Sequence, residues 1–182
     1  MARAATEFIW AGTVDTDWAT PGNWVNAAGV AHTEHFPGYD GALSTNVVGD
    51  QVLFDRAATH SPSGGDISVY GMLGSLVVGS AYTGSIGTSD TPLTFELDAE
   101  TSQVTIDAKN AGDLHLYGAG FAPGLGSVTV TESKGTCYLN GLMESLVLTK
   151  GIAVIGAEAI VNSFAVCCSQ PADVRLTIEA GA

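Results

Sequence analysis

The chain has 182 residues, 46% of them hydrophobic and 14% charged, which rules out a disordered segment and allows one domain with a substantial core. Six Lys and Arg stand against 19 Asp and Glu, a net charge of −13. A nucleic-acid partner needs a cationic face and an anionic membrane surface repels such a chain, so neither is expected as a partner. No stretch reaches the roughly 18 apolar residues of a membrane span. Low charge with abundant Gly, Val, Ser and Thr points to an all-β protein, because branched side chains suit a pleated surface.

Residues 1–9 are mixed and unpatterned and read as an extended N-terminal arm. They lack the apolar core of a signal peptide, so the chain is expected to fold in the cytoplasm in which it is made. Residues 10–60 read as a Trp-rich β cap or attachment region. Trp10, Trp18 and Trp24, all three tryptophans, alternate there with Gly12, Asp15, Asp17, Pro21, Gly22 and Asn23. That order predicts short strands joined by tight turns. The indoles would close the end of a stack, with a core role ahead of direct contact. Phe36 and Tyr39, in an irregular loop over 26–44, are further cap or interface candidates. Asn46 to Phe54 returns as strand-turn-strand, and Arg56 to Gly65 links into a repetitive region.

Residues 61–182 repeat themselves. Ile67-x-Val69-x-Gly71, Leu114-x-Leu116-x-Gly118, Cys137-x-Leu139-x-Gly141 and Ile152-x-Val154-x-Gly156 share one template, a half-buried strand ended by a residue that can turn. A second template, polar then apolar-x-apolar, recurs at Ser75-Leu76-Val77-Val78, Gln103-Val104-Thr105-Ile106, Ser127-Val128-Thr129-Val130, Ser145-Leu146-Val147-Leu148 and Ser163-Phe164-Ala165-Val166. The pattern predicts a short, irregular parallel β-helix or β-solenoid. The hexapeptide signature of the left-handed kind is absent, which favours a right-handed stack. A β-sandwich or jelly roll is the alternative. Ser80 to Pro92 and Ala119 to Gly126 lie between templates and are expected to project.

Candidate chemistry is sparse. His32-Thr33-Glu34-His35 has the wrong spacing for a helical zinc motif and reads as a solvated loop. Asp15, Asp17 and Asp50 match no calcium loop. His115, between Leu114 and Leu116, is expected to face outward. Adjacent Cys167 and Cys168 should lie on opposite faces of a strand, and with Cys137 they make no disulfide framework. Asp98, Asp107, Asp113 and Asp173, with Lys109 and Arg175, are the residues a polysaccharide-cleaving enzyme would use, but strand-end Asp is also what turns prefer. No catalytic residue, cofactor or metal is expected.

Trp10-x-Gly12, Asp17-Trp18, Asn23-Trp24 and Gly49-Asp50-x-Val52-x-Phe54 resemble the start of β-solenoid segments in bacterial exported proteins of the autotransporter-passenger kind, which implies a solenoid fold. In size, acidity and β content the chain also looks like the capsid decoration or cement proteins of tailed bacteriophages. That resemblance implies a structural, non-enzymatic virion protein that binds the capsid protein and copies of itself, as a homotrimer. The alternative is an extracellular, surface-exposed adhesin that binds glycans through aromatic residues such as Tyr39, Tyr82 or Tyr117, and a carbohydrate-active enzyme ranks below both.

Overall fold

The computed structural model describes residues 3–98, 103–119, 124–167 and 173–180. It is all-β, and the described residues contain no α-helix; a 3-10 turn lies at Pro21–Asn23. Strands β1 (Glu7–Trp10) and β2 (Trp24–Val25) open the chain. Next, β3 (His35–Phe36), β4 (Tyr39–Asp40) and β5 (Thr45–Asn46) make a small antiparallel sheet. The chain then runs through β6 (Asp50–Phe54), β7 (Gly65–Asp66), β8 (Leu73–Val78), β9 (Leu93–Phe95), β10 (Gln103–Ala108) and β11 (Leu114–Gly118). It continues through β12 (Gly126–Ser133), β13 (Thr136–Asn140), β14 (Leu142–Leu148), β15 (Gly151–Ile155), β16 (Ile160–Val161), β17 (Phe164–Val166) and β18 (Val174–Ile178).

From β6 onward the strands alternate between two sheets. One sheet runs β16-β14-β12-β10-β8-β6-β1-β2, with β17 also on β14, and the other runs β18-β15-β13-β11-β9-β7. Every pairing in both is parallel except β1 with β2. Such a chain coils, each turn laying one strand on each sheet, and the architecture is that of a parallel β-solenoid.

The repeats set the register. In the first sheet Phe8, Val52, Leu76, Val104, Val128, Leu146 and Phe164 stand in one column, and Phe54, Val78, Ile106, Val130, Leu148 and Val166 in the next. All five copies of the second template are thus stacked on one another. The second sheet answers with Leu93, Leu116, Leu139, Ile155 and Ile178, and with Leu114, Cys137, Ala153 and Leu176. These columns face each other as one continuous core. The template glycines mark a corner: Gly141 has φ +107°, and a Cβ there would lie 2.8 Å from the Gly118 carbonyl oxygen. Only glycine lets the two coils close up at that point.

Four details differ from the sequence reading. Ile67 is buried, but the chain turns at once after it, so Val69 is exposed and the first copy of the template is no strand. In Gly151–Ile155 it is Ala153 and Ile155 that point inward, not Ile152 and Val154. An unbroken apolar run carries no facing information, and the partners Cys137 and Leu139 decide it. The insertion from Ser80 to Pro92 does not simply project, because Tyr82 and Ile86 are fully buried and Ile86 heads the Leu114 column. Finally, Glu7–Trp10 is a sheet strand rather than part of a free arm, since its alternation matches the column it joins. Of the insertion from Ala119 to Gly126, residues 120–123 lie outside the described residues.

Leu116→Ala, in the middle of a fully buried column, should lower the urea-unfolding free energy by about 2–5 kcal/mol. Val69→Ala should change it by no more than about 0.5 kcal/mol.

Candidate functional site

Three regions compete for function: the N-terminal layer, a groove on the flank, and the C-terminal end of the stack. In the first, all three tryptophans are buried against one another. Trp24 meets Trp10 at 4.9 Å and Trp18 at 4.6 Å between ring centres, both edge-on, and Phe54 of the first coil packs beneath. Edge-to-face contact suits the ring quadrupoles. Each indole N–H has an acceptor: Trp10 donates to the His60 carbonyl (2.8 Å), Trp18 to Pro37 (3.2 Å) and Trp24 to Trp18 (2.7 Å). Phe36 is buried and stacks on half-buried Tyr39 at 5.1 Å.

Two polar clasps hold this layer. Asp50, wholly buried, accepts from the Arg3 guanidinium at both oxygens (2.7 and 2.5 Å), from the Thr6 N–H (2.9 Å) and from the Gly38 N–H (2.8 Å). One carboxylate thereby joins the N-terminal segment, the small sheet and the main sheet. Arg3 also lies 4.8 Å over the Phe8 ring. Asn23, equally buried, accepts from the N–H groups of Val14 and Asp15 and donates to Asp15 Oδ1 (2.6 Å) and the Asp17 carbonyl (2.8 Å). Backbone and side-chain donation, first from Asp17 and then from Asn23, lowers the Asp15 pKa. These acids are committed to internal bonding and stand in separate clasps.

Elsewhere the candidate groups are dispersed. His35 Nδ1 lies 3.3 Å from Asp40 Oδ1. No group of three or more His, Cys, Asp or Glu among the described residues is placed to hold a metal ion. Burial pushes the Cys137 thiol up to about 12, leaving it protonated at neutral pH. Cys167 is exposed, and Cys168 lies outside the described residues. Asp113 accepts from the Thr136 N–H of the next coil (2.8 Å). Asp173 stands at the head of β18, three strands along the same sheet, about 14 Å away at the usual strand spacing. A catalytic carboxylate pair works at roughly 5–9.5 Å. His115 differs from its sequence reading. It points away from the core but is buried, stacked flat on Tyr138 at 4.2 Å because the two stand in register on adjacent coils.

The flank groove has a volume of about 580 Å³. Thr94, Tyr117 and Asn140, one outer column on three successive coils, form its wall, and Glu158 and Ile160 close it. Of the aromatics an adhesin would expose, Tyr117 lines this groove, whereas Tyr82 is buried and Tyr39 packs on Phe36. The third region, the C-terminal end, holds an apolar hollow between the two sheets.

No local pattern signals the Arg3–Asp50 clasp, whose partners are 47 residues apart. Asn23 is visible in the sequence as a turn former but not as a buried hub. By architecture the chain belongs to the class of all-β proteins built of stacked parallel coils. Compared with protein-family models, with curated proteins and with solved structures, it matches none.

Asp50→Asn, which leaves the Arg3 charge uncompensated, should cost about 3–5 kcal/mol in urea unfolding. Glu132→Gln, at the exposed pair with Lys150, should cost less than about 1 kcal/mol. Burial holds the His32 and His115 imidazoles below the ordinary value of 6.5. The unfolded chain therefore takes up their protons first. Stability is unaffected by these groups above about pH 6.5 and falls as pH drops from there towards their native values. The urea midpoint should decline as the pH is lowered through about 6.5, and His115→Gln should reduce that decline.

Proposed function

We propose that this chain is a structural, non-catalytic subunit of a virion, a decoration or cement protein that seats its N-terminal layer on a capsid surface while the solenoid projects. The observation that carries the reading is where large apolar side chains meet solvent. Val14, Val30, Leu43 and Val48 do so in the N-terminal layer, Val69 just after it, and Ile160, Phe164, Val166 and Ile178 at the C-terminal end, whereas none of the described residues between Tyr70 and Ala159 does. Exposed apolar side chains at the two ends and not along the solenoid mark the ends as contact surfaces, and we assign the N-terminal one to the capsid. The Trp cluster and the Arg3–Asp50 clasp support this by holding that face rigid, which lowers the ordering cost of binding. The tryptophans then act as the cap's core rather than as contacts. Parallel crossovers are right-handed in nearly all known sheets, so we assign the coil that hand.

The test is to add purified protein to capsids stripped of it, and to score binding by co-sedimentation. Val30→Asp with Leu43→Asp should abolish binding without changing the melting temperature; unchanged binding refutes the assigned face. A glycan-binding reading rests on a separate observation, the Tyr117–Asn140–Glu158 groove, which offers a ring to stack on and two polar groups to orient hydroxyls. Titration with neutral oligosaccharides, with Tyr117→Ala as control, should show saturable binding if that groove is the working site.

A further inference from the structure

Among the described residues, the last coil of the stack has nothing packed over it. In the inward columns every described residue is buried until the last coil, where Phe164 is 45%, Val166 43% and Ile178 62% exposed, against 1%, 0% and 4% for their neighbours Leu146, Leu148 and Ile155. With Leu176 they line an apolar hollow of about 290 Å³. Among the described residues, strands β17 and β18 each have a neighbour on one side only, and their other edge carries a row of backbone donors and acceptors. At the other end the edge of β1 is taken by antiparallel β2, and the tryptophans are buried there. Natural edges are blunted by shortness, a covering loop, inward charges, proline or bulges, and β17, though only three residues long, carries none of the last three. Arg175 on β18 alternates to the outer face.

We propose that a second copy of this chain docks here end to end about a two-fold axis, with β17 pairing antiparallel to its counterpart and β18 to its own. The proposal requires one axis, perpendicular to the two facing sheets, to serve both pairs. Charge and register select this occupant. With Thr177 on the axis, Arg175 stands across from Glu179 of the second copy on the outer face, and Leu176 across from Ile178 inside. Because a two-fold repeats each contact, both ion pairs form together. With Ala165 on the axis, Phe164 stands across from Val166 in the same way. Moving the axis to Leu176 sets Arg175 opposite Thr177 and loses both ion pairs. A chain of net charge −13 repels its copies, and a cation placed to meet a carboxylate at this edge gives the approach its direction. The result is a dimer, not the trimer expected from size and composition, and it stands independently of the capsid contact proposed above.

Sedimentation velocity on the full chain at neutral pH should find a dimer. Arg175→Glu and Glu179→Arg should each give monomer, and the double variant should restore the dimer. Thr177→Cys, with Cys167 and Cys168 changed to serine, should cross-link quantitatively under mild oxidation, whereas Arg175→Cys in the same background should not. Phe164→Lys, an exposed position, should give a monomer with an unchanged circular dichroism spectrum. A wild-type monomer throughout the micromolar range, a trimer, or a dimer that ignores the charge and Phe164 variants overturns the proposal.

Discussion

Each coil of this chain leaves its backbone N–H and C=O groups pointing along the stack, where only another coil can satisfy them. That requirement governs the whole molecule. It forces neighbouring strands into register and so places Val52, Leu76, Val104, Val128 and Leu146 one above the next. Once the columns exist, the two sheets bury them against each other as a single core. Polar residues fall on the outer side of the same strands: Ser75, Gln103, Ser127 and Ser145 form a ladder there. A Ser- and Thr-rich sequence is what this alternation leaves on the surface.

A stack must also begin somewhere, and the chain devotes its first third to that. Strand β1 supplies one more parallel rung, and β2 covers it with an antiparallel one. The tryptophans fill the space above Phe54, and all three indole N–H groups find carbonyl acceptors, so a large aromatic area is buried without stranding a donor. Asp50 completes the closure. Burying a carboxylate is tolerable only with charge and hydrogen bonds around it, and Arg3, Thr6 and Gly38 supply both from three different segments.

Much of this architecture is legible in the sequence because it is periodic. The second template names, without exception, strands that share one sheet, and the all-β solenoid class comes from it. Legibility fails where periodicity does. The run Ile152-Ala153-Val154-Ile155 is apolar throughout, so its facing comes from Cys137 and Leu139 in the coil before. Tyr82 and Ile86 sit in a stretch without alternation, and only the fold shows them entering the core. His115 falls on the face that alternation predicts, but a single strand cannot reveal that Tyr138 of the next coil will cover it. The site is less legible than the fold. Trp10, Trp18 and Trp24 announce themselves by clustering, whereas Arg3 and Asp50 are ordinary charged residues until the chain brings them together.

The distribution of charge gives the stack a direction. Acidic side chains recur along its length, at Asp66, Asp90, Glu96, Asp107, Asp113, Glu132 and Glu144, and side-by-side approach of two such flanks is repulsive within a Debye length of about 8 Å. Along the axis the situation reverses. There, among the described residues, the exposed groups are apolar side chains and, at β17 and β18, an edge of backbone with no neighbouring strand, for which neighbouring protein is a better environment than water. Repulsive flanks and apolar ends favour the end-to-end contact proposed above over side-by-side approach. Within the chain coil joins coil by parallel pairing, and the proposed two-fold contact would extend each sheet by one antiparallel pair.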